Sequence, residues 1–324
     1  MTTRWTRGLP VSAVLRRIRA SLESRLPTLN SKTYQRHHSC YNAGVTKKGI
    51  CMEPDAHSSE PTTYPPSRWS LIPKALFIGV PTAIIGLFVS APPQGLWEKA
   101  RLIGYALCHQ MPERSFFFHE HQSPLCARCT GMYLGVLLGL IFLVVRRRTH
   151  AARLPAAALI SVLIGFITIM GIDGVNSTIS IIPGAPQLYH TTNIHRIVTG
   201  TLYGLAIAML FIPVLSSAIW KQPSGDRTLK NWRELAILVV IGFALDAIVL
   251  TQADWLLYPI TIISIIGPLL LLGFMGAVIV LTVRNLVNVV DRWPQLILPL
   301  TAGVALGLVL ITLMDVFRAV VTGG

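Results

Sequence analysis

Residues 127–145 read ARCTGMYLGVLLGLIFLVV, and this stretch decides the class of fold. No charged residue follows Arg128 for the remaining seventeen positions. A helix of about this length crosses the ~30 Å hydrocarbon core of a bilayer. Lipid offers no partners for backbone N–H and C=O groups, so an apolar segment of this kind has to be helical. The stretch therefore predicts a membrane-spanning helix.

Six further apolar segments accompany this one, so the sequence predicts an all-α integral membrane protein with seven transmembrane helices. The predicted spans are Leu71–Ala91, Ala127–Val145, Leu154–Ile172, Ile197–Trp220, Leu235–Thr251, Leu256–Val283 and Leu296–Val320. The 324-residue chain is 52% hydrophobic and 13% charged, whereas soluble proteins carry about 25% charged residues. Its mean hydropathy is +0.58. This composition excludes an ordinary soluble enzyme.

Basic residues concentrate before the first span. Residues 1–74 contain twelve of the 28 Lys and Arg residues, and the net charge is +14. Residues 1–70 hold few long apolar side chains, so they are predicted to form a disordered tail. Because no nucleic-acid motif accompanies the charge, we expect this tail to contact anionic lipid headgroups and no nucleic acid. No secretory signal peptide is predicted, but an Arg-rich start also fits an organellar transit peptide or a true start downstream of Met1.

The distribution of basic residues between the spans predicts the orientation in a plasma or inner membrane. By the positive-inside rule, the segments that hold most Lys and Arg residues are cytoplasmic. They are residues 1–74, 146–153, 221–233 and 284–292, with 22 of the 28. The N-terminus is then inside and the C-terminus outside. Segments 92–126 and 173–196 are expected on the extracytoplasmic side.

A cysteine-rich segment lies within residues 105–135. Cys126 and Cys129 form a C-x-x-C at the predicted start of the second span. The helix dipole and the first N–H groups there stabilise a thiolate, which both binds soft metals and attacks disulfides. A metal site, with zinc as the expected ion, takes Cys108, Cys126 and Cys129 as ligands. The fourth ligand is a nearby histidine: His109, His119 or His121.

Two other interpretations of the same cysteines stay open at this point. In the first, Cys126 and Cys129 are a redox dithiol and Cys108 is the resolving cysteine. In the second, a plain disulfide staples the outer loop, which an oxidising exterior permits. A c-type haem site is excluded because Thr130, and no histidine, follows Cys129.

Four polar residues at the predicted outer ends of the spans are candidate catalytic residues: Asp173, Asn193, Arg196 and Arg128. Ionisable groups this close to hydrocarbon are usually paired and functional. We expect Asp173 to pair with Arg196, and Asn193 to contact Arg196 at spacing i, i+3. Alternatively, both arginines extend to the headgroups.

The second and fourth spans share a Thr-Gly-x-x-x-Gly pattern that allows close helix packing. It comprises Thr130, Gly131 and Gly135 in one span and Thr199, Gly200 and Gly204 in the other. Small residues at this spacing let two membrane helices approach closely. Both spans run from outside to inside, so we expect their first turns to face one outer pocket suited to a thiolate or an anion. A duplicated two-helix unit and ordinary glycine packing both explain the pattern.

These motifs resemble those of the prokaryotic membrane-protein family catalogued as domain of unknown function 2085. The resemblance rests on Cys108-His109-Gln110, Pro112-x-Arg114-Ser115-Phe116, Cys126-Ala127-Arg128-Cys129-Thr130-Gly131-x-Tyr133-x-Gly135, Asp173-Gly174 and Asn193-x-x-Arg196-x-x-Thr199-Gly200. It covers about residues 96–216, and it implies a multi-pass membrane domain with no established activity. We therefore divide the chain into a tail (1–70), a four-helix membrane domain (71–220) and three further helices (221–324).

Other residues give weaker indications of function. Asp246 lies inside the fifth span, where a carboxylate either relays protons or packs as a hydrogen-bonded acid. Asp315 and Arg318 are an i, i+3 pair in the seventh span. The tail holds one sparse metal-like cluster, which is more typical of free cytoplasmic thiols: Cys40, Cys51, His37, His38 and His57.

Three functions therefore compete. The leading hypothesis is a membrane protein that binds zinc at its outer face. The second is a membrane thiol–disulfide oxidoreductase that exchanges electrons with a lipid quinone or secreted thiols. The third is a small-solute or ion transporter that uses Asp246 and Asp315. No arrangement typical of a known catalytic mechanism stands out, so the sequence does not decide whether the protein is an enzyme.

Overall fold

The computed structural model describes residues 74–322 except residues 183, 185 and 285, and most of these residues are helical. The predicted tail, with Cys40 and Cys51, lies outside the described residues. The helices described are α1 (Lys74–Ser90), α2 (Leu96–Leu107), α3 (Ala127–Val145), α4 (Ala157–Ile179), α5 (Asn193–Ile219), α6 (Trp232–Leu250), α7 (Leu257–Val283) and α8 (Trp293–Thr322). Short 3-10 turns lie at Pro112–Arg114 and Asp254–Leu256.

Five of the described helices are long and apolar enough to cross a membrane, which confirms a helical membrane protein with several spans. They are Ala127–Val145, Ala157–Ile179, Asn193–Ile219, Asp254–Val283 and Trp293–Val321. The first predicted span corresponds to α1, which has 17 residues. The fifth corresponds to α6, whose 19 residues include Arg233, Glu234 and Asp246. The total of seven spans therefore stays a prediction.

The structure shifts two predicted boundaries, and both shifts bring polar residues into helices. The predicted third span ends at Ile172, but α4 continues to Ile179, so Asp173 lies inside the helix. The predicted fourth span begins at Ile197, but α5 begins at Asn193. Thr192 and His195 form a capping box at this start, which supplies partners for N–H groups that a helix end leaves open. Hydropathy alone ends a span at the first polar residue and misses such turns.

The closest helix pair is α3 with α5, and glycine permits it. A methyl group on Gly131 would overlap the carbonyl oxygen of Ile197, and one on Gly135 would overlap that of Thr201. Both contact positions advance together along the two helices, so the helices are parallel and start at the same end. This confirms the close, parallel packing that the shared Thr-Gly-x-x-x-Gly pattern predicts.

The remaining helices surround this pair. α4 and α6 pack against α5, and α7 packs against α3. α8 packs against α7, α1 and α2, with a second close glycine contact between Gly276 and Gly303. An apolar core fills the half of the bundle away from the cysteines, with Leu143, Leu205 and Met209 among its fully buried side chains.

Two small sheets mark the opposite ends of the bundle. At the start of α3, β1 (Ser115–Phe118) pairs antiparallel with β2 (His121–Cys126). At the other end, β3 (Ala151–Arg153) pairs parallel with β4 (Ser224–Arg227). We call the first the cysteine end and the second the Glu234 end. The hairpin and α2 are not predicted from the sequence, because both lie in a segment that hydropathy indicates to be an outer loop.

Candidate metal centre and arginine cluster

The structure brings Cys108, Cys126 and Cys129 together. Their three sulphur atoms lie within 4.8 Å of one another, and all three are free cysteines. Cys108 directly follows α2, Cys126 ends β2 and caps α3, and Cys129 lies in the first turn of α3. Two separate segments of the chain therefore supply one group of thiols.

Hydrogen bonds hold these two segments in register. The Cys126 N–H donates to Cys108 Sγ at 3.3 Å. The side chain of Gln110 donates to the carbonyl of Pro124 at 2.7 Å, and the side chain of Gln122 donates to the carbonyl of Gln110 at 2.8 Å. The loop after α2 is thus tied to β2 on both sides of the cysteine group.

The electrostatics of the group favour one thiolate, on Cys108. Hydrogen bonds from the Cys126 and Cys129 side chains lower the pKa of Cys108 to about 3, against the opposing effect of burial. The neighbouring Cys108 in turn raises the pKa of the Cys126 thiol. A cluster that already stabilises one negative sulphur is suited to a cation or to a nucleophilic thiolate.

The three candidate histidines lie outside the thiol group. His109 is exposed, His119 Nδ1 lies 3.7 Å from the Asp254 carboxylate, and the His121 ring packs edge-on against Trp97 with centroids 4.9 Å apart. Within the described part of the chain, the group of possible ligand atoms contains only the three sulphurs. A histidine as fourth ligand stays a prediction.

Asp173 pairs with Arg128, so the expected pair of Asp173 with Arg196 is wrong. Arg128 Nε donates to Asp173 Oδ2 at 3.1 Å, and Arg128 Nη2 contacts the same oxygen. The Tyr189 hydroxyl donates to Oδ1 at 2.7 Å. Burial and this bond raise the pKa of Tyr189 to about 12, so the hydroxyl keeps its proton. The carboxylate is fully buried and faces the first turn of α3, where Arg128 reaches it.

Arg196 reaches α4 one turn further along, at Ser177. Its Nη2 donates to Ser177 Oγ at 3.3 Å, and its Nη1 donates to Asn193 Oδ1 at 2.8 Å, which confirms the predicted i, i+3 contact. Asn193 also donates to the carbonyl of Ser115 at 3.3 Å. Arg196 is 7% exposed, and its Nε is buried without a hydrogen-bond partner. Arg128 and Arg196 both make hydrogen bonds inside the bundle, to Asp173 and to Ser177.

Arg114 is a third arginine at this place, and it is not among the site residues predicted from the sequence. Its Nη2 donates to the carbonyl of Ser177 at 2.7 Å and lies 3.4 Å from Ser180 Oγ. The only signal for it was its position in the family-like motif that ends at Phe116. We call Arg114, Arg128 and Arg196 the arginine cluster.

The carboxylates considered for transport lie on α6 and α8. Asp246 is 1% exposed, with Oδ1 2.6 Å from the Thr201 hydroxyl and Oδ2 without a partner. Asp315 Oδ1 is also buried without a hydrogen-bond partner. Arg318, its neighbour in sequence, donates to the carbonyl of Cys108 at 2.7 Å, and its guanidinium lies 4.2 Å from the ring centroid of Tyr105.

Comparison with known proteins places this site in a family. The model of the family described as "Predicted membrane protein (DUF2085)" matches residues 108–210. The uncharacterised protein MJ1492 of Methanocaldococcus jannaschii is 33% identical over 131 residues, which are 39% of this chain and 77% of that protein. The chain belongs to the DUF2085 family.

A second relative matches a shorter part of the chain. An uncharacterised protein of Methanothermobacter thermautotrophicus is 37% identical over 84 residues, which are 25% of this chain and 76% of that protein. No solved structure matches this chain. The matched DUF2085 segment contains the three cysteines and the arginine cluster, whereas Asp246 and Arg318 lie beyond it.

Proposed function

We propose that this protein binds a transition metal, with zinc as the expected ion, through Cys108, Cys126 and Cys129 at the extracytoplasmic face of a cell membrane. The observation that carries this proposal is the approach of three sulphurs from two segments to within 4.8 Å. Zinc with tetrahedral bonds of about 2.3 Å holds its sulphur ligands ~3.8 Å apart. Small side-chain rotations therefore suffice to close the group around an ion.

The surroundings of the sulphurs support metal binding. The start of α3 directs its positive dipole end at Cys126 and Cys129, which stabilises thiolate ligands. The Cys126 N–H already donates to Cys108 Sγ, and hydrogen bonds of this kind orient metal ligands. Arg196 lies close enough to Cys126 for their charges to interact, so part of the ligands' negative charge is balanced.

His109 is the candidate for the fourth ligand, because it is exposed and directly follows Cys108. If His109 does not bind, the fourth position is open to water, as in catalytic zinc sites. An activity at this site would use Asp173, Asn193, Arg196 and Arg128, the polar residues selected from the sequence pattern. Both Asp173 oxygens already accept hydrogen bonds, which favours a positioning role over that of a general base.

The membrane arrangement that we propose has seven spans, with the N-terminus inside and the cysteine end outside. It follows from the positive-inside distribution of Lys and Arg. Labelling of intact cells with a membrane-impermeant maleimide tests it, with Glu120→Cys at the cysteine end and Arg147→Cys at the Glu234 end. We expect an added label only on the Glu120→Cys protein. Labelling of Arg147→Cys alone would reverse the orientation.

The metal is tested by elemental mass spectrometry on protein purified in detergent, with thiols counted after denaturation. We expect about one zinc per chain, lost in Cys126→Ser and retained in Cys40→Ser, which removes a thiol of the tail. His109→Ala should weaken zinc binding relative to His190→Ala, an exposed histidine outside the group.

The main rival is thiol–disulfide exchange by the same cysteines. Protein without metal, with Cys126 and Cys129 oxidised and a reversible potential, would overturn the zinc proposal in favour of an oxidoreductase. A disulfide that resists reduction would instead indicate a structural cross-link of the outer loop. A transporter would survive replacement of all three cysteines and fail with Asp246→Asn.

A further inference from the structure

Beside the thiols, three guanidinium groups converge on the last two turns of α4. Arg114 and Arg196 both bind Ser177, the first at its carbonyl and the second at its hydroxyl. Arg128 binds Asp173, one turn earlier on the same face of α4. The arginines come from the turn before β1 and from the first turns of α3 and α5, so three segments assemble one cationic surface.

The negative charge at this place is smaller than the positive charge. Among the described residues, Asp173 is the only carboxylate within ion-pair distance of the arginine cluster, and it contacts Arg128. The end of α4 adds the partial negative charge of its carbonyls, and Arg114 binds one of them, that of Ser177. Arg114 and Arg128 repel Arg196 electrostatically. One carboxylate, a helix end and any negative charge on Cys126 therefore face three guanidinium groups, so positive charge is in excess.

Burial makes this imbalance significant. Arg196 is 7% exposed, and its Nε is buried without a partner although Nη1 and Nη2 are satisfied. Buried polar groups in folded proteins almost always have a partner, and buried charges without one are costly. A donor held in this way indicates a missing acceptor.

We propose that the arginine cluster binds a phosphate-type oxyanion, either free or as part of a lipid headgroup. Guanidinium groups match phosphate oxygens with paired N–H donors, and a tetrahedral oxyanion offers more acceptor oxygens than a carboxylate. Arg114 and Arg128 are partly exposed, so an anion can reach them. The cluster lies at the starts of two membrane helices, where free phosphate and headgroup phosphate are both within reach.

The binding test uses the full chain in detergent, with the melting temperature followed during titration of inorganic phosphate. Sodium chloride at equal ionic strength is the control for screening, and acetate is the control for a carboxylate. In a second arm, phosphatidic acid is titrated in mixed micelles against diacylglycerol, which lacks the phosphate. We expect phosphate or phosphatidic acid to raise the melting temperature and neither chloride nor acetate to match it.

Variants locate the site. Arg114→Gln removes one charge from the cluster, and Arg196→Lys keeps the charge but removes the planar fork and Nε. Each should weaken phosphate binding about tenfold, since each removes charge-assisted hydrogen bonds. Arg147→Gln removes an exposed arginine from the Glu234 end and should leave binding unchanged. Because Arg196 is buried, the half-buried Arg114 keeps the test decisive if Arg196→Lys does not fold.

The two arms of the titration distinguish a lipid headgroup from a soluble anion. A response only to phosphatidic acid identifies a lipid headgroup, and a response to free phosphate identifies a soluble anion. Equal responses to phosphate, chloride and acetate overturn the proposal, as does an equal loss in Arg147→Gln and Arg114→Gln. Cys126→Ser with chelator present should still bind phosphate, so failure of the zinc proposal and failure of this one are distinguishable.

Discussion

The two ends of the α3–α5 pair each contain a buried carboxylate bound by arginine, but only one end is saturated. At the Glu234 end, Arg148 contacts both Glu234 oxygens at 2.8 Å, and Arg146 adds a contact at 3.0 Å. The Lys230 N–H donates to the same carboxylate at 2.9 Å. At this end both oxygens of the carboxylate are partnered and two arginines share it.

The cysteine end also contains a buried carboxylate bound by arginine, but other polar groups there have no partner. Asp173 is saturated by Arg128 and Tyr189, but the Nε of Arg196 has no partner and three thiols lie together with no covalent bond. A network in which every charged group has a partner stabilises a fold, whereas hydrogen-bond donors and thiols without a partner are available to bind a ligand. We therefore assign stability to the Glu234 end and binding to the cysteine end.

Separating α3 from α5 should destroy both ends together and has the largest expected effect. In Gly135→Leu the new side chain meets the backbone of Thr201, so we expect no monodisperse protein in size-exclusion chromatography. Gly135→Ala should lower the free energy of unfolding by about 1–3 kcal/mol through overpacking. The control is Gly165→Leu on α4, where nothing lies within 4 Å of the added carbon. Equal behaviour of the two leucine variants would contradict the close-packing argument.

Removal of one carboxylate should separate the two ends. Glu234→Gln leaves Arg148 buried without a countercharge, and loss of one partner of a buried pair costs about 3–5 kcal/mol. Asp173→Asn should cost a similar amount at the cysteine end. We expect phosphate to raise the melting temperature of Asp173→Asn by more than that of Glu234→Gln, because Asp173→Asn frees Arg128 for the anion whereas Glu234→Gln leaves the arginine cluster unchanged. The same phosphate response in both variants would remove the distinction between a closed and an open end.

Arg318 should influence the cysteine end from outside the family segment. It donates to the carbonyl of Cys108 and so fixes the loop that carries this proposed ligand. Groups that orient metal ligands typically change metal affinity by 10–100-fold, and we expect about a tenfold loss in Arg318→Gln. Competition with a chromogenic zinc chelator measures it, and Arg292→Gln, an exposed arginine at the Glu234 end, is the control. Unchanged affinity would mean that α2 and the hairpin position Cys108 without α8.

Exposed ion pairs should matter least, at either end. His119 and Asp254 are 3.7 Å apart at the cysteine end, and Lys221 and Asp291 are 3.7 Å apart at the Glu234 end, with all four side chains largely exposed. Pairs of this kind contribute about 0–1 kcal/mol. His119→Ala and Lys221→Ala should therefore each change the midpoint of chemical denaturation only slightly. A large effect in His119→Ala alone would bring this histidine into the functional site.

Several site residues could be predicted because they carry local signals. The spacing of Cys126 and Cys129, and the glycines at positions 131 and 135, indicate a thiol pair at the start of a closely packed helix without any tertiary information. Partners of charged side chains that lie on another helix carry no such signal, unlike the i, i+3 contact of Arg196 with Asn193. Asp173 was expected to pair with Arg196 on α5. In the structure, α4 presents Asp173 to Arg128 of α3 instead, and Arg196 of α5 binds Ser177, one helical turn further along α4.

The sequence by itself determined the membrane class, the positions of the apolar helices and the parallel α3–α5 pair. Hydropathy and glycine spacing are patterns within one or two helices, so they can be recognised in short stretches of the sequence. Only the tertiary structure decided that Cys108 joins Cys126 and Cys129, that Arg114 completes an arginine cluster, and that Arg318 holds the loop of Cys108. These contacts join residues 18 to 210 positions apart, and their geometry depends on how separate helices pack.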